Sequence, residues 1–139
     1  MSSAIHRILR YTWAAPCTAV GLCLAAPALV FGGGLRVVEG VIEVAISARG
    51  KAGIIPALLP FNAITFGHVV IAITGAELDR LRAHEQEHVR QYERWGVLFF
   101  FAYPAASLWE LLRGRRPYVD NWFEIEARAS DPNESRCPP

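Results

Sequence analysis

Hydrophobic and polar positions change period four times along the chain. From Tyr11 to Phe31 there is no charged residue at all, about 21 residues or about 31 Å as a helix, enough to cross the hydrocarbon core of a bilayer. Pro16 and Pro27 interrupt the run, which a membrane helix tolerates better than a soluble one. Gly32-Gly33-Gly34 then ends it. The pattern predicts a retained membrane anchor; a signal peptide cleaved at the small-x-small triplet Ala26-Pro27-Ala28 is the rival, disfavoured because the apolar run continues past that point. His6, Arg7 and Arg10 precede the run and no basic residue follows it until Arg36, so a cytoplasmic N-terminus is expected, with the rest of the chain outside the cytoplasm.

Leu35 to Ser47 reads as β-structure, with Val38, Ile42, Val44 and Ile46 on one face and Arg36, Glu39 and Glu43 interrupting the rest. Ala48 to Gly53 has turn or loop composition, and Ile54 to Phe61 carries Pro56 and Pro60, making it a poor strand and a short helix at best. Ala63 to Thr74 is rich in β-branched residues and almost continuously apolar, as in a strand covered on both faces. The period then becomes helical. Thr74 and Glu77 form a Thr-x-x-Glu capping box, and no proline intervenes before Gly96. Leu78, Leu81, His84, His88, Gln91 and Trp95 fall on one buried stripe, while Arg80, Arg82, Glu87, Arg90, Glu93 and Arg94 form the wet face. Val97 to Leu112 is apolar and aromatic around Pro104, and the Arg113-Gly114-Arg115-Arg116-Pro117 cluster ends it, as a solvated turn or a contact for anionic headgroups. Asp120-Asn121 can cap a last short helix from Trp122 to Ala129.

These elements predict an α+β fold: a short β-sheet, a long polar-faced helix and a downstream glutamate-bearing helix, with a hydrophobic helix in front. Residues 1–34 form the anchor or signal segment, 35–130 the domain and 131–139 a disordered tail. At 139 residues there is room for one small domain plus appendages; 53% apolar and 19% charged content suits a membrane-associated protein. A net charge of +1 gives no electrostatic case for nucleic acid. Cys17, Cys23 and Cys137 have neither zinc-ligand spacing nor the look of a disulfide framework.

The chemistry lies in His84-Glu85-Gln86-Glu87-His88. Residues four apart are neighbours on a helix, so both imidazoles can reach one zinc ion, and Glu85 stands beside its open side, placed to take a proton from the water that zinc activates. Two of the chain's four histidines sit here, on the apolar stripe. A third ligand must come from downstream. Were Val97–Leu112 to span a membrane, that ligand would be delivered to the opposite side, so the segment is expected on the core or in the membrane interface. Glu124 and Glu126 are the candidates; two positions apart on a helix, only one can face the metal, and Phe123 and Ala127 mark the side of Glu124 as buried. His68, Tyr92 and Tyr118 could donate to a developing oxyanion, although a structural role is the favoured expectation for each of them.

The His84-Glu85-Gln86-Glu87-His88 motif, followed by Asn121-Trp122-Phe123-Glu124-Ile125-Glu126-Ala127, resembles the gluzincin pattern of metallopeptidases, and the whole chain is similar to short bacterial proteins that carry this motif behind an N-terminal hydrophobic helix. The likeness covers roughly Ile64 to Ala129. It implies a zincin-like core, Zn²⁺ held by His84, His88 and Glu124, Glu85 as general base, and peptide or protein substrates. It also implies that Thr65, Phe66, Gly67, His68 and Val69, on the strand before the motif helix, pair with an extended substrate. Arg128 departs from the pattern: many membrane gluzincins carry aspartate there. The expected activity is zinc-dependent peptide hydrolysis at a membrane. A non-catalytic zinc-binding scaffold is the alternative, and a metal-free protein with a coincidental motif is a third reading.

Overall fold

In a computed structural model, which describes residues 2–47 and 61–132, both β-rich stretches fold back on themselves. Glu39 and Gly40 take left-handed conformations (φ 52° and 83°), the geometry of a two-residue hairpin turn. Leu35 to Ser47 is therefore two antiparallel strands, β1 (Gly34–Val38) and β2 (Val41–Ser47). The turn moves Val38 opposite Val41, off the face of Ile42, Val44 and Ile46 where an uninterrupted strand would have put it. The second stretch turns at Gly67 (φ 59°) and His68, giving β3 (Ala63–Phe66) antiparallel to β4 (Val69–Thr74). The sheet order is β1-β2-β4-β3, with β2 and β4 parallel.

Among the described residues four helices complete the fold: α1 (Ser2–Val30), α2 (Gly75–Trp95), α3 (Phe99–Leu112) and α4 (Trp122–Ser130), with a 3₁₀ turn at Gly96–Leu98 between α2 and α3. Thr74 caps α2, its side chain accepting from the Glu77 amide, and Asn121 caps α4 by accepting from Phe123 N at 2.9 Å. Asn121 also donates to the Tyr103 carbonyl and to Ser107 Oγ, which pins the start of α4 to α3.

Strand alternation assigns the two faces of the sheet. Ile42, Val44, Val69 and Ile71 meet Ala25, Ala28 and Leu29 of α1; Val41, Ala45, Val70 and Ala72 meet Leu78 and Val89 of α2. The result is a three-layer sandwich of α1, sheet and α2. The approach of α1 is close because its inner stripe is small: Ala14, Cys17, Gly21 and Ala25 are buried, and a Cβ on Gly21 would lie 2.8 Å from the Val69 Cβ. The segment expected to stand apart as an anchor is thus the back layer of the domain. Its other sides expose Ile5, Ile8, Leu9, Trp13, Val20, Leu22 and Leu24. Two stretches, Ala4–Val30 and Gly75–Leu112, are long and apolar enough to cross a membrane. Asp131, expected in a tail, is buried at the end of α4. The expectations for residues 48–60 and 133–139 lie outside the described residues.

Candidate metal centre

α2 brings His84, Glu85 and His88 to the buried side, and α4 packs across α2 so that Glu124 meets them. The four residues are each at most 8% exposed. His84 Nε2 and His88 Nε2 lie 3.2 Å apart; His84 Nε2 is 3.4 Å from one carboxylate oxygen of Glu124, and His88 Nε2 is 3.3 Å from the other. Ligands held at 2.0–2.1 Å around a tetrahedral zinc ion are separated by about 3.3–3.4 Å. Glu124 Oε2, buried, makes no hydrogen bond among the described residues. Spacing, nitrogen and oxygen donor set, and this idle lone-pair atom all fit a divalent metal, and the trio could hold one. Glu126 points elsewhere, to Gln91 and Arg94.

Surrounding groups fix each of these side chains. Thr65 Oγ1 on β3 donates to Glu85 Oε2 at 2.7 Å. Gln91 stands beside His88 Nδ1 and donates to the Phe123 carbonyl and to Glu126, linking the motif helix to α4. Tyr103 Oη donates to Glu124 Oε1 at 2.7 Å. Burial opposes ionisation of Glu124, yet the His84 and His88 rings and the Tyr103 hydroxyl together hold its carboxyl well below the usual carboxylate range. Arg128, at the position where the resemblance fails, has one guanidinium nitrogen 3.9 Å from Glu124 Oε2 and another bonded to the Val119 carbonyl. It adds a positive charge behind the ligand carboxylate.

The trio opens into a cleft of about 770 Å³ between β3, α2 and α3, walled by Thr65, Phe66, Phe99, Phe100, Tyr103 and Pro104, with Tyr92 and Tyr118 also on its lining. Among the described residues β3 is the edge strand of the sheet. Of the expected substrate strand, Thr65 and Phe66 therefore line the cleft, whereas Gly67 and His68 form the turn and Val69 is interior to β4. His68 is outside the cleft: its ring stacks on Tyr11 with centroids 4.0 Å apart, and its Nε2 is 3.1 Å from Glu93 Oε1. The hairpin that splits the long strand is what carries it away. Tyr103 and Gln91 were not singled out from the sequence. Gln91 was on the buried stripe, three residues after His88, and that placement was the available sign; Tyr103 stood in an aromatic run where nothing marked it.

No family model, no curated protein and no solved structure matches this chain.

Proposed function

We propose that the protein is a membrane-associated zinc peptidase. The observation that carries the reading is the buried trio of His84, His88 and Glu124, whose ring nitrogens lie 3.2 Å apart and each 3.3–3.4 Å from one of the two Glu124 carboxylate oxygens, opening into a cleft with a further carboxylate, Glu85, on its lining. Zinc bound there would polarise a substrate carbonyl and lower the pKa of a water molecule in its open position. Glu85 takes the proton of the attacking water and returns it to the leaving amine, and Thr65 fixes which carboxylate oxygen is free to do so. Peptide is the substrate class because β3, at an edge of the sheet among the described residues, can add an extended backbone beside the base. Tyr118, on the cleft lining, is the candidate donor to the carbonyl oxygen. A cleft of this size lies within the usual range for small-ligand sites, which favours turnover over a purely structural metal.

The test is hydrolysis of casein or a peptide library by purified, zinc-loaded protein, with Glu85→Gln as control. Cleavage abolished by Glu85→Gln at unchanged zinc content is expected. Zinc binding without cleavage of any substrate would leave the scaffold in its place.

A further inference from the structure

We infer that the molecule is seated on one leaflet of a bilayer, with α1 lying in the membrane plane rather than crossing it. The three-layer arrangement carries this. α1 and α2 cover opposite faces of the same strands, residue for residue: Val44 and Ile71 pack toward α1, their neighbours Ala45 and Ala72 toward α2. If α1 crossed the bilayer, α2 would lie at the same depth, beside it across the sheet. Yet the outward side of α2 carries Asp79, Arg80, Arg90 and Arg94, all exposed, and Arg36 with the buried Glu43 continues the charged face onto the sheet. Charges facing hydrocarbon are strongly unfavourable. Turned in plane, the same sandwich puts α1 in the acyl region and keeps α2 in water.

The surface on the α1 side suits that seat. Along α1 it exposes Ile8, Leu9, Val20, Leu24 and Val30, and β1 adds Leu35 and Val37 beside them. It continues into the start of α3, because Trp13 lies against Gly96, where a Cβ would come within 2.5 Å of the indole, and the neighbouring Val97 and Leu98 are exposed. α3 then presents Phe101, Leu108 and Trp109 outward while Phe99, Phe100 and Tyr103 line the cleft. One helix is thus shared by the membrane-facing surface and the cleft wall. Five guanidinium groups, Arg7, Arg10, Arg113, Arg115 and Arg116, border this surface; Glu93, Glu110 and Asp120 pair with four of them, leaving a positive surplus. Anionic headgroups complement it. With no crossing, Arg7 and Arg10 no longer indicate which side of the membrane holds the cleft.

Two measurements on the full-length chain test this seating independently of peptidase activity. With Cys17, Cys23 and Cys137 changed to alanine, single cysteines at Ala4→Cys and at Ala76→Cys, exposed at the start of α2 beside the C-terminal end of α1, mark the two ends of α1. Both should react with a membrane-impermeant maleimide from the same side of sealed membranes; reaction from opposite sides would overturn the proposal. Purified protein should float with phosphatidylcholine vesicles and bind more tightly when phosphatidylglycerol is included. The Phe101→Asp, Leu108→Asp double variant should weaken vesicle binding at least tenfold at unchanged zinc content. Undiminished binding by that variant, or self-association in place of vesicle binding, would overturn it.

Discussion

The Gln91 amide oxygen lies 2.8 Å from Nδ1 of His88, and the two residues together settle the tautomer of one imidazole of the candidate metal centre. The amide nitrogen of Gln91 donates to the Phe123 carbonyl, which can only accept, so the amide oxygen must be the atom turned to His88. His88 Nδ1 therefore carries a proton and donates it to Gln91. In the neutral ring this leaves a lone pair on Nε2, the atom turned to His84 and Glu124.

Metal content is the first expected outcome. Purified protein should carry about one zinc ion per chain by elemental analysis. His84→Ala or His88→Ala should lose most of it, and His6→Ala should lose none; full occupancy in His88→Ala would remove the site.

Glu124 and Glu126 should separate sharply. Glu124→Gln removes a ligand and should lose zinc and activity together. Glu126→Gln should retain both, because an amide still accepts from Gln91, and the weakened contact with exposed Arg94 is worth about 0.5 kcal/mol. Gln91→Leu, by contrast, frees the His88 ring and should weaken zinc affinity about 10- to 100-fold in a competitive chelator titration. Equal affinities in Gln91→Leu and wild type would dissociate Gln91 from the metal.

Tyr103→Phe deletes only the hydroxyl that donates to Glu124. A hydrogen bond to a charged group contributes about 1.5–3 kcal/mol, so urea unfolding should show a loss of that order, with zinc bound more weakly. Unchanged stability and affinity would make that hydroxyl incidental.

Thr65→Val keeps the shape of the β3 side chain and removes its bond to Glu85. Turnover should fall by about tenfold or more, towards the roughly 100- to 10,000-fold that loss of a general base itself costs, while zinc content stays constant. Loss of zinc in this variant would mean that Thr65 supports the fold rather than the base.

Deletion of residues 1–34 should yield an unfolded or aggregated chain without zinc, because it uncovers Ile42, Val44, Val69 and Ile71 on the back of the sheet. Circular dichroism and zinc analysis of the truncated chain decide this. A folded, zinc-loaded remainder would show that α1 is only attached to the domain.

What the sequence made legible was local. Helical spacing put His84 and His88 side by side, Thr74 and Asn121 marked where helices begin, and Phe123 with Ala127 pointed to Glu124. Both hairpins escape the sequence for one reason: Glu39-Gly40 and Gly67-His68 are turns of only two residues, and a single glycine inside a β-rich run reads equally as a bulge until the positive φ of Glu39, Gly40 and Gly67 identifies the turn. The role of α1 was hidden differently. A stripe of small residues in an apolar helix reads alike whether it meets lipid or a sheet, and only the contact of Gly21 with Val69 tells them apart. The partners of the site, Tyr103 and Thr65, come from segments distant in the chain and have no spacing to read.

The ligands come from two helices with all of α3 between them, so a bound ion would close a loop of about 35 residues. Metal and fold are then linked quantities: each tenfold excess of free zinc over its dissociation constant deepens the folded state by about 1.4 kcal/mol. Zinc scarcity would then remove activity and loosen α4 from α2 together, and a housekeeping protease would meet the loosened fold. The abundance of this protein should therefore track the zinc supply of its compartment.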